Sequence, residues 1–247
     1  MKVRLDKLLV ERGLVPSREK GQALILAGRV LVDEQKIEKA GAAVETESTI
    51  RLLGDDLRYV SRGGLKLERA LEHWAIDVTG LTCMDVGAST GGFTDCLLQH
   101  GAAKVIAVDT GYGQIDARLR ADGRVRLLEK TNARYLEPDQ IGEPVQMVTM
   151  DVSFISATLV LPAVVRSAFA AAAEGPRHVV TLVKPQFEVG RERVGKGGIV
   201  RDEHAQQDAV EKVRAAVADL GGSEIKTIDS PIRGAEGNRE FLLYAKF

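Results

Sequence analysis

Hydrophobic and polar positions follow two different patterns along the chain, and the change between them lies near residue 60. In the first part, leucines at helical spacing predict a short helix that ends at Gly13. Ser17 suits the N-cap of a second helix, which ends at Gly28. The apolar positions assigned to the two helices are Leu5, Leu8 and Leu9 in the first and Ala23, Leu24, Leu26 and Ala27 in the second.

Short runs of β-branched residues follow the second helix. Residues 29–32 and 36–37 flank the turn sequence DEQ and predict a hairpin, and residues 48–52 predict a closing strand. We therefore expect the first part of the chain to form a small α+β module.

From residue 81 onwards, strand-like apolar runs alternate with helical segments, which is typical of a mainly parallel sheet with helices on both faces. Five strands are predicted in this region: 82–86, 103–109, 124–130, 145–152 and 178–184. Two further strands, at 222–231 and 238–247, follow one another without a helix and predict an antiparallel hairpin. The predicted fold class is α/β, with the small α+β module at the N-terminus.

Length and composition favour two domains. A chain of 247 residues with 45% hydrophobic content is long enough for one standard domain and one small module. The predicted boundaries are 1–56 for the N-terminal module, 57–62 for a linker and 63–247 for the larger domain.

The net charge is close to neutral, but positive charge is concentrated at the N-terminal end. The formal net charge of −1 argues against a polycation that coats nucleic acid by charge alone. Residues 1–30 nevertheless contain seven Lys or Arg against three acids, and residues 57–69 add four basic residues against Glu68. A polyanionic partner is therefore expected at this end of the chain.

Several classes of protein do not fit the sequence. The two cysteines, Cys83 and Cys96, have no CxxC spacing, and the four histidines lie far apart, so we expect neither a disulfide nor a metal site. The N-terminus is too charged for a signal peptide, and no apolar run approaches the roughly 18 residues of a membrane span. The expectation is a soluble, cytoplasmic protein that does not act on membranes, and its oligomeric state is not predicted.

The sequence DVGASTGGF, residues 85–93, lies at the first strand-to-helix turn of the predicted sheet. It matches neither the dinucleotide pattern GxGxxG nor a Walker P-loop. Glycines at this turn can admit a ligand close to the backbone, Asp85 suits a positive amino group, and Asp109 at the next strand end suits ribose hydroxyls. Together they indicate S-adenosylmethionine, although a tight turn in an enzyme with another cofactor is the alternative.

Four charged residues are expected to meet in one pocket. Asp151 and Lys184 end neighbouring strands, Glu240 begins the last strand, and Lys66 begins the helix that leads into the sheet. Lys184 is the most informative, because a buried strand end normally carries no unpaired charge. The alternatives are a solvated helix residue for Lys66, a helix cap for Asp151 and a surface position for Glu240.

Two resemblances to known families sharpen these expectations. The sequence RLDKLLVERGLVPSREKGQALILAGRVLVD resembles the S4 RNA-binding module. The sequences RGGLKL, DVGASTGGFTDCLL, MDVSFIS, LVKPQFE, VGKGGIVRD and GNREFLLY, in this order, resemble the TlyA group of ribosomal RNA 2′-O-methyltransferases, which is related to the FtsJ fold. The second resemblance extends over nearly the whole chain and implies a Rossmann-like methyltransferase sheet.

The TlyA resemblance implies an activity and a set of site residues. The activity is S-adenosylmethionine-dependent 2′-O-methylation of a ribose, of cytidine, in ribosomal RNA or ribosomal subunits, with the large subunit favoured. The family's catalytic tetrad corresponds to Lys66, Asp151, Lys184 and Glu240. The expected cofactor-binding residues are Asp85, Gly87, Ala88, Ser89, Gly91, Gly92, Phe93, Asp109 and Asn132, and the expected RNA-binding residues are Arg4, Lys7, Arg18, Lys20, Arg29, Arg58 and Arg62.

Some questions stay open at this point. Lys184 either stays charged and orients the hydroxyl oxygen or takes its proton. The glycine-rich segment 195–200 is either a mobile loop over the substrate or a linker. A small-molecule acceptor is a second enzymatic hypothesis, and a membrane-lytic hemolysin is a third hypothesis from another class.

Overall fold

A computed structural model describes residues 2–15, 17–26, 28–52, 58–171, 175–234 and 237–247. The predictions that concern Ala27 and the domain boundary at residues 56–57 fall outside the described residues. The chain divides into two compact units, Met1–Leu57 and Arg58–Phe247. We refer to them as unit 1 and unit 2.

Among the residues of unit 1 that the structure describes, there are two helices and five short strands. They are β1 (Lys2–Arg4), α1 (Leu5–Glu11), α2 (Arg18–Leu26), β2 (Val30–Val32), β3 (Gln35–Ile37), β4 (Ala43–Glu45) and β5 (Ile50–Leu52). The predicted hairpin is β2–β3, and the predicted closing strand is β5, which pairs with the other edge of β2. The antiparallel pair β1–β4 was not predicted, because each of these strands contains a single β-branched residue, Val3 or Val44.

The two helices of unit 1 differ in how well their buried faces could be predicted. Leu5, Leu8 and Leu9 of α1 are all buried, as expected. In α2 the predicted apolar face was wrong, because Gly21 and Ile25 are buried whereas Leu26 is 67% exposed. A Cβ at Gly21 would lie 3.4 Å from Leu9, so α2 packs against α1 at this glycine.

Unit 2 contains seven strands and seven helices among its described residues. The strands are β6 (Thr82–Val86), β7 (Lys104–Val108), β8 (Val125–Leu128), β9 (Met147–Met150), β10 (His178–Val183), β11 (Ser223–Asp229) and β12 (Phe241–Lys246). The helices are α3 (Gly63–His73), α4 (Gly92–Gln99), α5 (Ala117–Ala121), α6 (Pro138–Ile141), α7 (Ala157–Ala168), α8 (Pro185–Glu188) and α9 (Glu203–Asp219).

The strands of unit 2 form one sheet in the order β11-β12-β10-β9-β6-β7-β8. Neighbours from β10 to β8 are parallel, whereas β12 is antiparallel to β10 and β11 is antiparallel to β12. The predicted α/β class and the C-terminal antiparallel pair are confirmed. Because β12 runs against β10, the residue before β12 lies at the same edge as the carboxyl ends of the parallel strands.

Both faces of the sheet are covered, and the strand alternation explains why. Met84 of β6 packs in one core cluster with α7 and α9 residues, and its neighbour Cys83 packs in the other with α3 and α4 residues. Strand order reverses between β6 and β9, so a crevice opens there at the carboxyl edge.

Candidate active site

Two adjoining cavities of about 310 and 320 Å³ lie at the carboxyl edge of the sheet in unit 2. The first cavity is lined by residues from the start of α3, the turn after β6 and the end of β10, and the second by residues that follow β7, β8 and β9. Gly87, Ser89, Asp151 and Ser153 line both cavities. The switch point of the sheet therefore offers two connected compartments rather than one pocket.

Lys184 and Asp151 meet between these cavities. The Lys184 Nζ atom lies 2.6 Å from Asp151 Oδ1 and donates a hydrogen bond of 2.7 Å to Ser153 Oγ. The Asp151 contact is an ion pair whose angles do not suit a hydrogen bond, since Oδ1 has no hydrogen-bond partner within the described structure. Because β9 and β10 are parallel neighbours, the residues after their last positions are brought together, as the sequence predicted.

Lys66 and Glu240 form the second ion pair of the site. Lys66 Nζ donates to Glu240 Oε2 at 2.6 Å, and the two side chains are only 10% and 3% exposed. Glu240 immediately precedes β12, rather than beginning it, and Lys66 lies in the first turn of α3. A Cβ at Gly234 would lie 2.4 Å from Glu240 Oε1, so a glycine is needed beside this carboxylate.

The four predicted charged residues thus form two ion pairs, the buried pair Lys66–Glu240 and the partly buried pair Lys184–Asp151, whose aspartate is 20% exposed. Lys66, Asp151 and Lys184 line the first cavity. Glu240 lies outside this lining and holds Lys66 by a hydrogen bond. Buried pairs contribute little net stability, since desolvation offsets their attraction. Two such pairs in a cleft therefore indicate a functional site more than a contribution to folding stability.

The turn after β6 is built differently from the expectation. Asp85 is completely buried, and its two oxygens accept hydrogen bonds from Thr94 Oγ1 (2.7 Å) and Thr149 Oγ1 (3.2 Å). Burial raises the pKa of Asp85 to about 7. The expected contact between Asp85 and a ligand is therefore corrected to a supporting role, because strand alternation directs this side chain into the core.

The glycines of the turn serve packing within unit 2. Gly87 has φ +83°, and a Cβ there would lie 2.5 Å from the Asp151 carbonyl oxygen. A Cβ at Gly91 would lie 2.3 Å from Leu119, and one at Gly92 would lie 2.3 Å from Ser61 Oγ. Gly91 lies outside both linings, whereas Ala88, Ser89, Gly92 and Phe93 line the first cavity. These glycines therefore have a packing role, and the expectation that they also admit a ligand stays a prediction, since Gly87 and Gly92 line the first cavity.

Asp109 and Asn132 line the second cavity, which Asp151 also lines. The Asp109 carboxylate accepts hydrogen bonds from the backbone N–H groups of Ser89 (2.8 Å) and Gly111 (2.6 Å). The Asn132 side chain caps a 3-10 turn by accepting from Arg134 N at 3.1 Å. Both residues are therefore held rigidly at the wall of this cavity.

Ser153 and Phe154 lie in the site but were not singled out from the sequence. Phe154 is 91% exposed, lines the second cavity and has φ +64°, which is unusual for a bulky residue. Its ring lies 5.4 Å from the ring of Phe187. The only signal in the sequence was their position directly after Asp151, in MDVSFIS.

The basic residues at the start of unit 2 separate into two groups. Arg58 pairs with Glu68, which also accepts a hydrogen bond from Tyr59 Oη. Arg62 is exposed and lines the first cavity, and exposed Arg233, which was not predicted, lines it as well. Of the two predicted RNA-binding residues Arg58 and Arg62, only Arg62 lines the first cavity.

The glycine-rich segment 195–200 is anchored rather than free. Asn238 accepts a hydrogen bond from Val200 N (3.0 Å) and donates one to Gly198 O (2.8 Å). Asn238 is 1% exposed and precedes Glu240 by two residues. The segment is therefore tied to the chain that carries one of the four charged residues.

In unit 1, two predicted RNA-binding residues have a partner within the fold. Arg4 and Arg18 lie 2.9 and 3.1 Å from the buried carboxylate of Asp6, and hydrogen bonds led by the one from Arg4 hold the pKa of Asp6 well below its usual range. Lys7 and Lys20 are exposed, and Arg29 is partly buried. Arg4 and Arg18 thus stabilise the helix pair, and about half of each side chain still faces solvent.

The described residues lack two kinds of feature. They contain no group of three or more His, Cys, Asp or Glu arranged to hold a metal ion. No helix formed by them is long and apolar enough to cross a membrane.

The fold and the site of unit 2 define a methyltransferase of the FtsJ-like class, whose family model matches residues 59–247; an S4-domain model matches residues 3–50. More narrowly, the chain belongs to the TlyA family. It is 45% identical over 246 residues to 16S/23S rRNA (cytidine-2′-O)-methyltransferase TlyA of Mycobacterium tuberculosis, covering 99% of this chain and 90% of that protein. The predicted family is confirmed.

Two further relatives carry another name. Hemolysin A of Brachyspira hyodysenteriae is 39% identical over 243 residues, with 98% of this chain and 99% of that protein covered. A solved structure from Streptococcus thermophilus, named as a candidate hemolysin, is 43% identical with a TM-score of 0.75 and covers 99% of this chain and 88% of that chain. Both relatives span the S4 and methyltransferase regions together.

Proposed function

We propose that this protein transfers a methyl group from S-adenosylmethionine to the 2′-hydroxyl of a cytidine ribose in ribosomal RNA. The observation that carries the proposal is the presence of two ion pairs, the partly buried Lys184–Asp151 and the buried Lys66–Glu240, beside a second cavity lined by Asp109, whose carboxylate suits ribose hydroxyls. The choice of ribosomal RNA and cytidine follows the name of the Mycobacterium tuberculosis relative.

The residues of the second cavity fit the cofactor. Asp109 stands at the carboxyl end of the second parallel strand, where a carboxylate suits ribose hydroxyls. Asn132 and Thr131 add polar groups, and Val160 and Ile155 add apolar ones, as an adenine ring requires. When bound, S-adenosylmethionine supplies a methyl group on a sulfonium that is already activated towards a nucleophile.

Lys184 and Asp151 would act on the acceptor hydroxyl. An ammonium has three N–H donors, and Ser153 and Asp151 occupy at most two of them. The third is available to hold the 2′-oxygen and to stabilise the negative charge that develops on it. Asp151 lines both cavities and would accept a hydrogen bond from the hydroxyl, which keeps the oxygen lone pair directed at the methyl group, and then the proton that the hydroxyl loses on methylation.

Lys66 and Glu240 would shape the acceptor side. Lys66 lines the first cavity, and Glu240 fixes its ammonium by a buried hydrogen bond. Exposed Arg62 and Arg233 add positive charge at the same cavity, where the phosphates of a nucleic acid would be attracted. We assign these residues to substrate placement rather than to the methyl transfer itself.

RNA recognition would involve both units. The S4 match covers residues 3–50, which contain the exposed Lys7 and Lys20 and the half-exposed Arg4 and Arg18. In unit 2 the exposed ring of Phe154 offers a stacking face for a base that has been turned out of its helix. Such a substrate would be met in the cytoplasm, with the large ribosomal subunit favoured.

The proposal is tested by transfer of labelled methyl groups to ribosomal subunits that lack the modification, with Lys184→Ala beside wild type. We expect label in RNA with wild type and a loss of about 10²-fold with the variant. Lys226→Ala, which removes an exposed lysine in β11, is the matched control and should retain activity. Wild type that binds the cofactor but labels neither subunits nor naked RNA would overturn the proposal and favour a small-molecule acceptor.

A parallel assay distinguishes the hemolysin hypothesis from the RNA methyltransferase proposal. Leakage of dye from phospholipid vesicles is measured with the same preparation. We expect no leakage at concentrations that methylate RNA, and leakage that does not depend on Lys184 would favour a lytic protein.

A further inference from the structure

Two short segments of the active site are joined to each other at both ends. The first segment, residues 151–157, runs from Asp151 to the start of α7, and the second, residues 184–188, consists of Lys184 and α8. At one end Lys184 contacts Asp151 (2.6 Å) and Ser153 (2.7 Å). At the other end the connection is made by Glu188, which has no part in the proposed methyl transfer itself.

Both carboxylate oxygens of Glu188 accept hydrogen bonds from the beginning of α7. Its Oε1 accepts a hydrogen bond of 2.6 Å from Ala157 N, and its Oε2 accepts one of 2.5 Å from Ser156 Oγ. The side chain is 2% exposed. A carboxylate at this position also complements the positive end of the 12-residue helix. From α9, Lys212 Nζ donates to Glu188 O at 2.7 Å and lies 3.4 Å from Oε2, which balances the buried charge.

Phe154 stands between the two fixed ends. Its φ of +64° is unfavourable for a bulky side chain and persists only where surrounding contacts hold it. The ring is 91% exposed, and Phe187, which lies within the second segment, is the aromatic ring beside it. The backbone on both sides of Phe154 must therefore be restrained for Asp151 and Phe154 to keep their positions at once.

We infer that Glu188 is a positioning residue for methyl transfer: by holding Ser156 and Ala157 it fixes the 151–157 segment, and thereby Asp151 and the Phe154 ring. The inference rests on the proposed function for its activity readout. Glu188 lies outside the linings of both cavities, so it acts through the segment and not by touching a substrate. Lys184 restrains one end of the segment, and Glu188 restrains the other.

The experiment compares Glu188→Ala with Glu188→Gln and with Glu192→Ala, which removes an exposed glutamate four residues away. Three quantities are measured: kcat for methyl transfer to RNA, amide hydrogen exchange of residues 151–157, and thermal unfolding followed by Trp74 fluorescence. Trp74 is the single tryptophan and lies in unit 2.

For Glu188→Ala we expect kcat to fall about 10²-fold, because small displacements of reacting groups have effects of that size. Exchange of residues 151–157 should accelerate by at least about 10-fold, while the rest of unit 2 and its unfolding temperature change little. Glu188→Gln keeps an acceptor for Ala157 N and a partner for Ser156, so it should restore kcat to within about 5-fold of wild type. Glu192→Ala should match wild type.

Three results would overturn the inference. They are an unchanged kcat and exchange in Glu188→Ala, a Glu188→Gln as slow as Glu188→Ala, or a loss of kcat that only follows global unfolding. If wild type transfers no methyl group to RNA, the proposed function fails, and the exchange measurement still decides whether Glu188 holds the segment.

Discussion

Lys66 and Glu240 are 174 positions apart in the chain and 2.6 Å apart in the structure. One lies near the start of unit 2 and the other at its last strand, so this contact closes the sheet edge around the first cavity. It forms because β12 is antiparallel to β10, which brings the beginning of the last strand to the carboxyl ends of the others.

Breaking this ion pair should destabilise unit 2. Glu240→Ala leaves a buried ammonium without a partner, which costs about 3–5 kcal/mol of unfolding free energy. The measurement is urea unfolding followed by Trp74 fluorescence. Glu224→Ala is the control, since it breaks a surface pair with Lys246 whose side chains are 50% and 37% exposed and should cost less than about 1 kcal/mol. Equal losses for both variants would contradict the assignment of Glu240 to a buried pair.

Asp109 should govern cofactor affinity without affecting RNA binding. Asp109→Ala removes the carboxylate at the second cavity and also leaves the N–H groups of Ser89 and Gly111 without their acceptor. We expect the Kd for S-adenosylmethionine, measured by calorimetry, to rise about 10²-fold, and RNA binding to stay within about 3-fold of wild type. Asp116→Ala, at the N-cap of α5, is the control. Unchanged cofactor affinity would place the ribose elsewhere.

Phe154 should affect the RNA step more than cofactor binding. Phe154→Ala removes an exposed stacking surface, which is worth about 1–3 kcal/mol per base. We expect kcat/KM for RNA to fall by about 10-fold or more, with little change in the unfolding free energy, because the ring is 91% exposed and alanine keeps the same backbone strain. Tyr135→Ala, another exposed aromatic in unit 2, is the comparison. Equal losses in the two variants would remove the special role of Phe154.

Asp85 predicts a particular pH dependence of stability. Its pKa is raised in the folded protein, from 3.8 to about 7, because burial disfavours the charged form. The stability that the neutral carboxyl contributes is therefore complete below about pH 4 and is lost as the pH rises through about 7. The unfolding free energy of wild type minus that of Asp85→Asn should thus decrease between pH 4 and pH 8, by about 4 kcal/mol at most. A difference that increases with pH would contradict the buried, raised-pKa carboxyl.

Much of the fold followed from the sequence because its signals are local. The strands of the parallel sheet are short, largely apolar runs, and each predicted strand exists, β6 with the predicted bounds and the others with shorter ones. The meeting of Asp151 and Lys184 followed from topology, since residues after neighbouring parallel strands must share an edge.

What could not be predicted depends on side-chain direction and on packing between distant segments. Asp85 looked like a ligand-binding residue because it precedes the glycine-rich turn, yet its neighbours Thr94 and Thr149 bind it in the core. The exposed Phe154 requires a positive φ that no sequence pattern predicts. The buried face of α2 includes Gly21, which packs near Leu9, twelve positions away. Periodicity within one helix does not reveal such a contact.

The most direct test of the account identifies the methylated atom. RNA labelled by the wild-type protein is digested to nucleosides, and the labelled nucleoside is resolved by chromatography. We expect the labelled nucleoside to be 2′-O-methylcytidine, whose phosphodiester linkage in the undigested RNA resists alkali. With Lys184→Ala we expect no such product. Label on a base, or on a product other than RNA, would contradict the assignment of Lys184 and Asp151 to a ribose hydroxyl.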